Sequence, residues 1–461
     1  MNLIFSVATI QLSRLMNRQS GQSQNTDCGL DLDEGLIKKP IDRRRFNLRL
    51  HSRSPFPLKS LTHARPTCTM TLMTTNVHDF AIEIEKTEDG YFVHAYGNPF
   101  GEARDFFVLP FSPEELEQFA RLVADVTLEN AALKALQQQT AREFGERLFR
   151  AIFRHNVLSS YHSSYQLAYQ QRAQLRIRIQ LPTTPEFVNL PWEYLYDPVR
   201  DEFLALSNHS PLVRYTNLMH RILPLPVETP LRMLVVIPSP DSYPTIHVER
   251  QWLNLLDTLD HLALVGKMKL ERLQKPTLLD LQRRLRQGEF HILHFLGHAR
   301  FDSQAQDGLL VFEDEMGRSR LVSGQHFGAL LRDHYTLRLV SLNASAGTPV
   351  TTSNPYLAVA TNLVQRALPA VVATQFATIP NAALAFANVF YSAIADRQPV
   401  DAAAIEARRA VQVEERGVAW GASTLIMRTP DGRLFEGQSA QLGHGANVTT
   451  NLTRNSQFVT R

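Results

Sequence analysis

Cysteine is nearly missing from this sequence: of 461 residues only Cys28 and Cys68 carry a thiol. Residues 69–461 therefore hold no disulfide, no thiolate metal site and no thiol nucleophile of their own. Long hydrophobic runs are missing as well. No apolar stretch approaches the ~18 to 20 residues needed to cross a bilayer. Residues 1–13 lack the basic start and small-residue cleavage site of a secretory signal. A cytoplasmic chain with no membrane partner is expected. Charge of one sign is scarce too, with 48 Lys and Arg against 45 Asp and Glu. The surplus lies in residues 1–69, which hold 11 Lys/Arg against 5 Asp/Glu, and the remainder is slightly acidic. Nothing in that remainder concentrates basic residues as a nucleic-acid binder does. No Gly-rich phosphate loop follows a strand, so no cofactor and no metal are expected.

What is present is ordinary globular composition, 44% hydrophobic and 20% charged, long enough for two to three domains. Residues 1–77 form an aperiodic basic leader, expected to be disordered or to come from a start codon placed too early. Residues 78–228 read as a smaller α+β subdomain. Phe80, Ile82 and Ile84 alternate with polar residues, and Asp89-Gly90 supplies a tight turn before Tyr91–Tyr96, a hairpin signal. Ser112, Pro113 and Glu115 make a capping box with Pro at the first helical position. Phe144, Leu148 and Ile152 lie at helical spacing and are expected in the core. The aromatic run Trp192, Tyr194 and Tyr196 in LPWEYLYDP is expected to pack, not to serve as a stacking platform.

From residue 229 to 436 short apolar strands alternate with helices, the pattern of a largely parallel sheet covered on both faces. Residues 437–461 are a polar tail, expected to be disordered. In such a sheet function gathers at the carboxyl ends of strands. Two strand ends carry chemistry: Gly297-His298-Ala299 follows Phe290–Leu296, and Asn343-Ala344-Ser345-Ala346-Gly347 follows Leu337–Leu342. A histidine on one strand end and a hydroxyl on another, with small residues that let N–H groups approach a carbonyl oxygen, is an acyl-transfer arrangement. The α/β-hydrolase order fails, because the only histidine after Ser345 is His444 and Asn343 stands where that motif begins with Gly. The caspase-like order fits: His298 precedes Ser345 by 47 residues, against roughly 50 in that template. His291 and His294, on the same strand, have no acidic or thiol ligand at matching spacing and are expected to be ordinary strand residues.

The segments LPWEYLYDP, FLAL, VERQW, LHFLGHARFD, LVSGQHFGALLRD, LRLVSLNASAG, LPAVVATQF and WGASTLIMRTPDGRLF together resemble the CHAT domain, a relative of caspases and separases, over roughly residues 78–435. The resemblance implies an α/β fold with a caspase-like, mostly parallel sheet flanked by helices, preceded by the smaller α+β subdomain. It also implies a Cys-His dyad that cleaves peptide bonds. His298 matches the family histidine, and Ser345 occupies the place of the nucleophilic cysteine. The chain departs from the family pattern at Ala299, where glycine is usual, at Ala346, where glutamate is common, and at Thr378 and Pro380, where an acidic residue is usual.

A thiol is intrinsically nucleophilic, whereas a hydroxyl needs a base in direct contact and a third group orienting that base. The expected function is therefore a degenerate pseudoprotease: a peptide- or protein-binding or regulatory module in a bacterial signalling or defence assembly. The alternative is a slow serine-type peptidase or hydrolase with Ser345 as nucleophile, His298 as general base and an oxyanion turn at Gly297, Ala346 and Gly347. A third reading makes the chain a scaffold that binds a neighbour through the helices of residues 112–170.

Overall fold

The computed structural model describes residues 76–125, 130–181, 184–218, 222–344, 353–366, 368–415 and 417–437. The leader up to residue 75 and the tail from 438 lie outside them, as does the segment 345–352 that holds Ser345, Ala346 and Gly347.

The first half opens with β1 (Val77–Thr87), β2 (Gly90–Tyr96) and β3 (Ala103–Phe107), an antiparallel meander. Its first turn places Gly90 at φ +125°, a backbone region that only glycine enters cheaply. Alternation puts Phe80, Ile82 and Ile84 in the core. The helices α1 (Pro113–Ala124), α2 (Ala131–Ile152) and α3 (His155–Gln170) follow. The capping box is formed: Glu115 N donates to Ser112 Oγ at 3.2 Å and Ser112 N to Glu115 Oε2 at 2.8 Å. Phe144, Leu148 and Ile152 are buried. β4 (Gln174–Gln180) then runs parallel to β1.

The LPWEYLYDP segment plugs this core. Trp192 and Tyr194 are fully buried, with Trp192 Nε1 donating to Phe187 O at 2.9 Å and Tyr194 Oη to Val418 O at 2.7 Å. The segment crosses α2 so closely that a Cβ on Gly145 would stand 1.9 Å from Tyr194 O. Short pairs β5 (Tyr196–Asp197) and β6 (Glu202–Phe203), then β7 (Leu212–Tyr215) and β8 (Leu225–Pro226), complete this half.

The second half alternates strand and helix: β9 (Leu231–Val236), α4 (Val248–Leu264), β10 (Met268–Arg272), α5 (Leu278–Gln287) and β11 (Ile292–Gly297). A three-stranded excursion, β12 (Ala299–Asp302), β13 (Asp307–Glu313) and β14 (Ser319–Ser323), leads into α6 (Gly324–Leu331) and β15 (Leu339–Ala344). Then come α7 (Pro355–Arg366), β16 (Ala370–Thr374), α8 (Pro380–Ala395), α9 (Val400–Glu415), β17 (Ser423–Met427) and β18 (Phe435–Glu436). Alternate strand residues feed two cores. Met233, Val235 and Ile292 pack with α4, α8 and α9 on one face, while Leu234, Leu293 and Val340 pack with α5, α6 and α7 on the other.

All the long strands outside the β12–β14 excursion share one sheet, in the order β10-β9-β11-β15-β16-β17-β7-β4-β1-β2-β3. Only β16/β17, β1/β2 and β2/β3 are antiparallel. This is the α/β class with a mostly parallel, helix-flanked sheet that the sequence leads one to expect. The halves meet where β17 pairs with β7, Ile426 beside Arg214 and Met427 beside Tyr215. Behind that joint Arg214 is buried with Glu193 at 2.6 Å and Gln375 at 2.8 Å, and Arg408 stands 4.0 Å from the same carboxylate. Two guanidinium groups thus share one buried carboxylate, supplemented by backbone carbonyls such as Leu190 O.

Candidate functional site

β11 and β15 are parallel neighbours, with Gly297 beside Ala344 in register. His298 and Ser345 each follow that pair by one residue. Gly297 is where a side chain cannot go: an added Cβ would stand 2.7 Å from the Phe295 ring and 3.1 Å from Pro238. Its carbonyl accepts from Tyr356 Oη at 2.7 Å.

His298 is buried, 6% exposed, and held on three sides. Its ring stacks on Tyr243 at a centroid distance of 5.3 Å. Its carbonyl accepts from Val311 N at 3.0 Å, tying it to β13. Its Nε2 lies 2.8 Å from Pro244 O, in the loop after β9. A backbone carbonyl only accepts, so Nε2 carries the hydrogen and the lone pair of the neutral ring lies on Nδ1. Carbonyl and stacking partner thus set both tautomer and orientation. Nothing in the sequence marks this orienting group, because a backbone oxygen leaves no trace in residue identity.

Ser345, Ala346 and Gly347 lie outside the described residues. The chain is pinned where it returns. Asn354 caps α7 by accepting from Leu357 N at 2.9 Å, and its Nδ2 donates to Gln375 O at 2.7 Å. Its own N–H donates to Asn189 Oδ1 at 3.0 Å.

Beside the strand ends, between the sheet and helices α4 and α8, lies a cavity of about 100 Å³. Its walls are largely apolar, with Ile237, Leu255, Leu384, Phe386 and Phe390, interrupted by the uncharged Gln251 and Asn254 of α4, and a further polar, neutral set lines it with His294, Ser341, Asn343 and Tyr391. His294 Nδ1 is 2.7 Å from Tyr391 Oη and Nε2 is 3.3 Å from Asn343 Nδ2. Asn343 also donates to Ser341 Oγ at 3.0 Å. Burial pushes the His294 pKa down to about 4, so the ring is neutral at neutral pH, and burial raises the Tyr391 phenol above its ordinary range. Thr378 and Pro380, which stand where the resemblance leads one to expect an acid, line this cavity. No Asp, Glu, Lys or Arg lines it among the described residues. Residues 237, 384, 386 and 391 carry no signal in the sequence reading, because which helix face meets which strand end is set by packing.

His291 lies at the opposite, amino end of β11, where its Nδ1 accepts from Arg232 N at 2.9 Å. Burial, then the nearby Arg397 and Arg232 charges, lower its pKa to about 4. Both extra histidines are thus engaged within the fold. Among the described residues no three His, Cys, Asp or Glu side chains converge on a metal position, and no helix is long and apolar enough to cross a membrane.

The described part of the site is thus a backbone-oriented histidine at one strand end of a mostly parallel α/β sheet and a neutral cavity beside the next, at the carboxyl ends where such sheets bind ligands. The CHAT domain profile matches residues 138–428, and the chain belongs to that family, with the caspase-like fold that membership implies. No curated protein matches the chain. Among solved structures it is similar to a chain of the Saccharomyces cerevisiae separase-securin complex, at 9% identity and TM-score 0.43, covering 77% of this chain and 30% of that one. It is also similar to the Arg-specific cysteine proteinase gingipain R, at 10% identity and TM-score 0.37, covering 70% of this chain and 75% of that one. The chain thus spans under a third of the first of these.

Proposed function

We propose that this CHAT protein is a degenerate pseudoprotease that captures an extended peptide or protein segment without cutting it. The observation that carries this is the cavity of about 100 Å³ beside Ala344, largely apolar in its walls and, among the described residues, lined by no ionisable side chain other than the neutral His294 and Tyr391. A charged side chain entering it would be desolvated without a counter-charge, whereas an uncharged apolar one would gain burial. The proposal includes Ser345 as replacement for the family's cysteine, a division at residues 228/229 between the smaller subdomain and the caspase-like domain, and a cytoplasmic role in a bacterial signalling or defence assembly.

Peptide libraries varied at one position test it. Peptides presenting Leu, Met or Phe are expected to bind and to be recovered intact by mass spectrometry, with Arg and Asp peptides rejected. Ala383→Trp, at the exposed rim of the cavity, is expected to abolish capture. Equal binding of all classes, or capture untouched by Ala383→Trp, sinks the proposal.

One observation favours a second reading, a slow serine-type hydrolase with Ser345 as nucleophile and His298 as base. The contact between His298 and Pro244 supplies the orienting group that a hydroxyl nucleophile requires. Intact-mass analysis after exposure to a fluorophosphonate decides it. An adduct lost in both Ser345→Ala and His298→Ala establishes an activated serine, and no adduct on the parent removes this reading.

A further inference from the structure

One margin of the eleven-stranded sheet is β10, and among the described residues no strand lies outside it. Its inner hydrogen bonds can be read from the ends. Leu231 N donates to Lys267 O and Leu273 N to Val235 O, so odd-numbered residues of this strand bond to β9. The N–H and C=O groups of Met268, Leu270 and Arg272 therefore point outward. Side chains alternate across the sheet. Met268 and Leu270 pack on the α4 side, and Arg272 pairs there with Glu249 at 2.8 Å. Glu271 lies on the α5 side, meeting Arg284 at 2.7 Å, and Lys269 shares that side. Along the same margin α4 and its closing turn expose Leu253 (60%), Leu264 (78%) and Val265 (65%).

We propose that this edge docks a second copy of the chain, β10 against β10, antiparallel about a two-fold axis centred on Leu270. The sequence of the strand chooses both the occupant and the register. With Leu270 opposite its own copy, the outward groups of residues 268, 270 and 272 pair with one another, making about six backbone hydrogen bonds. Lys269 then stands directly across from the copy's Glu271, twice, by symmetry. Shifting the axis to Lys269 or to Glu271 sets like charges face to face, which is unfavourable. A lysine on an edge strand ordinarily blocks pairing; here the glutamate two residues on answers it only in an inverted copy of the same strand. The same axis places both α4 helices on one face of the joined sheet, so that their exposed leucines approach each other. Asp257 and Asp260, exposed on that helix, oppose close helix contact, which leaves the strands to hold the joint.

Sedimentation velocity on the full chain tests this. The parent protein is expected to sediment as a dimer. Leu270→Pro removes an outward donor without touching the β9 ladder and is expected to give a monomer with unchanged circular dichroism. Lys269→Glu turns two cross-strand pairs repulsive at once and is expected to weaken the dimer about tenfold. A third variant does not depend on affinity. The two Leu270 Cα atoms would lie about 5.5 Å apart, within disulfide reach, so Leu270→Cys, with Cys28→Ser and Cys68→Ser, is expected to cross-link to its own copy under mild oxidation. A parent monomer that gives no such cross-link overturns the proposal, and so does a dimer that survives both Leu270→Pro and Lys269→Glu unchanged.

Discussion

His298 donates its Nε2–H to the carbonyl of Pro244 at 2.8 Å, so the loop after β9 decides which nitrogen of a histidine at the end of β11 holds the lone pair. Replacing His298 with Phe leaves that carbonyl without its donor, at a cost of about 1 kcal/mol. His298→Gln, which keeps an N–H at the end of a similar side chain, is expected to recover part of the loss. Thermal melts of the two variants check this, and equal stability of both would show that the bond contributes nothing.

His294 predicts an acid sensitivity. Folding lowers its pKa from 6.5 to about 4 through burial, so the unfolded chain takes up the proton more readily. The contribution is fully present above about pH 6.5 and is lost as the pH falls towards 4, worth about 3 kcal/mol in all. His291 titrates in the same direction. Urea melts at pH 7 and pH 5 are expected to show the fall, with a shallower slope in His294→Phe.

Glu193 holds two buried guanidinium groups, on Arg214 and Arg408. Glu193→Ala strands both positive charges away from water, and a loss of about 3 kcal/mol or more is expected from chemical denaturation. A cost under about 1 kcal/mol would mean that the backbone carbonyls around Arg214 suffice.

Gly145→Ala drives a methyl group against a backbone oxygen of the segment crossing α2. Neither partner is the end of a flexible side chain, so the helix or the crossing segment must move. The expected destabilisation is about 1–3 kcal/mol, read as a lower melting temperature. An unchanged one would show that the crossing is looser than the contact implies.

Features encoded over a few residues were legible in the sequence: the capping box at Ser112 and Glu115, the turn at Asp89-Gly90, the apolar strands, and the end of β11 that carries Gly297 and His298. Distant contacts were not. Pro244 reaches His298 across 54 positions and Tyr391 reaches His294 across 97. The first contact is made by a backbone atom that every residue possesses, and the second depends on how α8 lies against the sheet. The joint between β7 and β17 escaped for another reason, since Leu212–Tyr215 is too short a run for alternation to show.

That joint has a consequence for how the chain can be divided. Separating it at residue 228 would part β7 from β17 and β8 from β18, and the β7 and β17 margins would present unpaired backbone groups beside a freshly uncovered Arg214 or Thr424. Each fragment would then be a template for the other, and co-expressed pieces are expected to find one another where either alone precipitates. The first half also reaches the site through Asn189, whose Oδ1 accepts from Asn354 N at the head of α7, so the same cut would release the chain where it returns beside the strand ends.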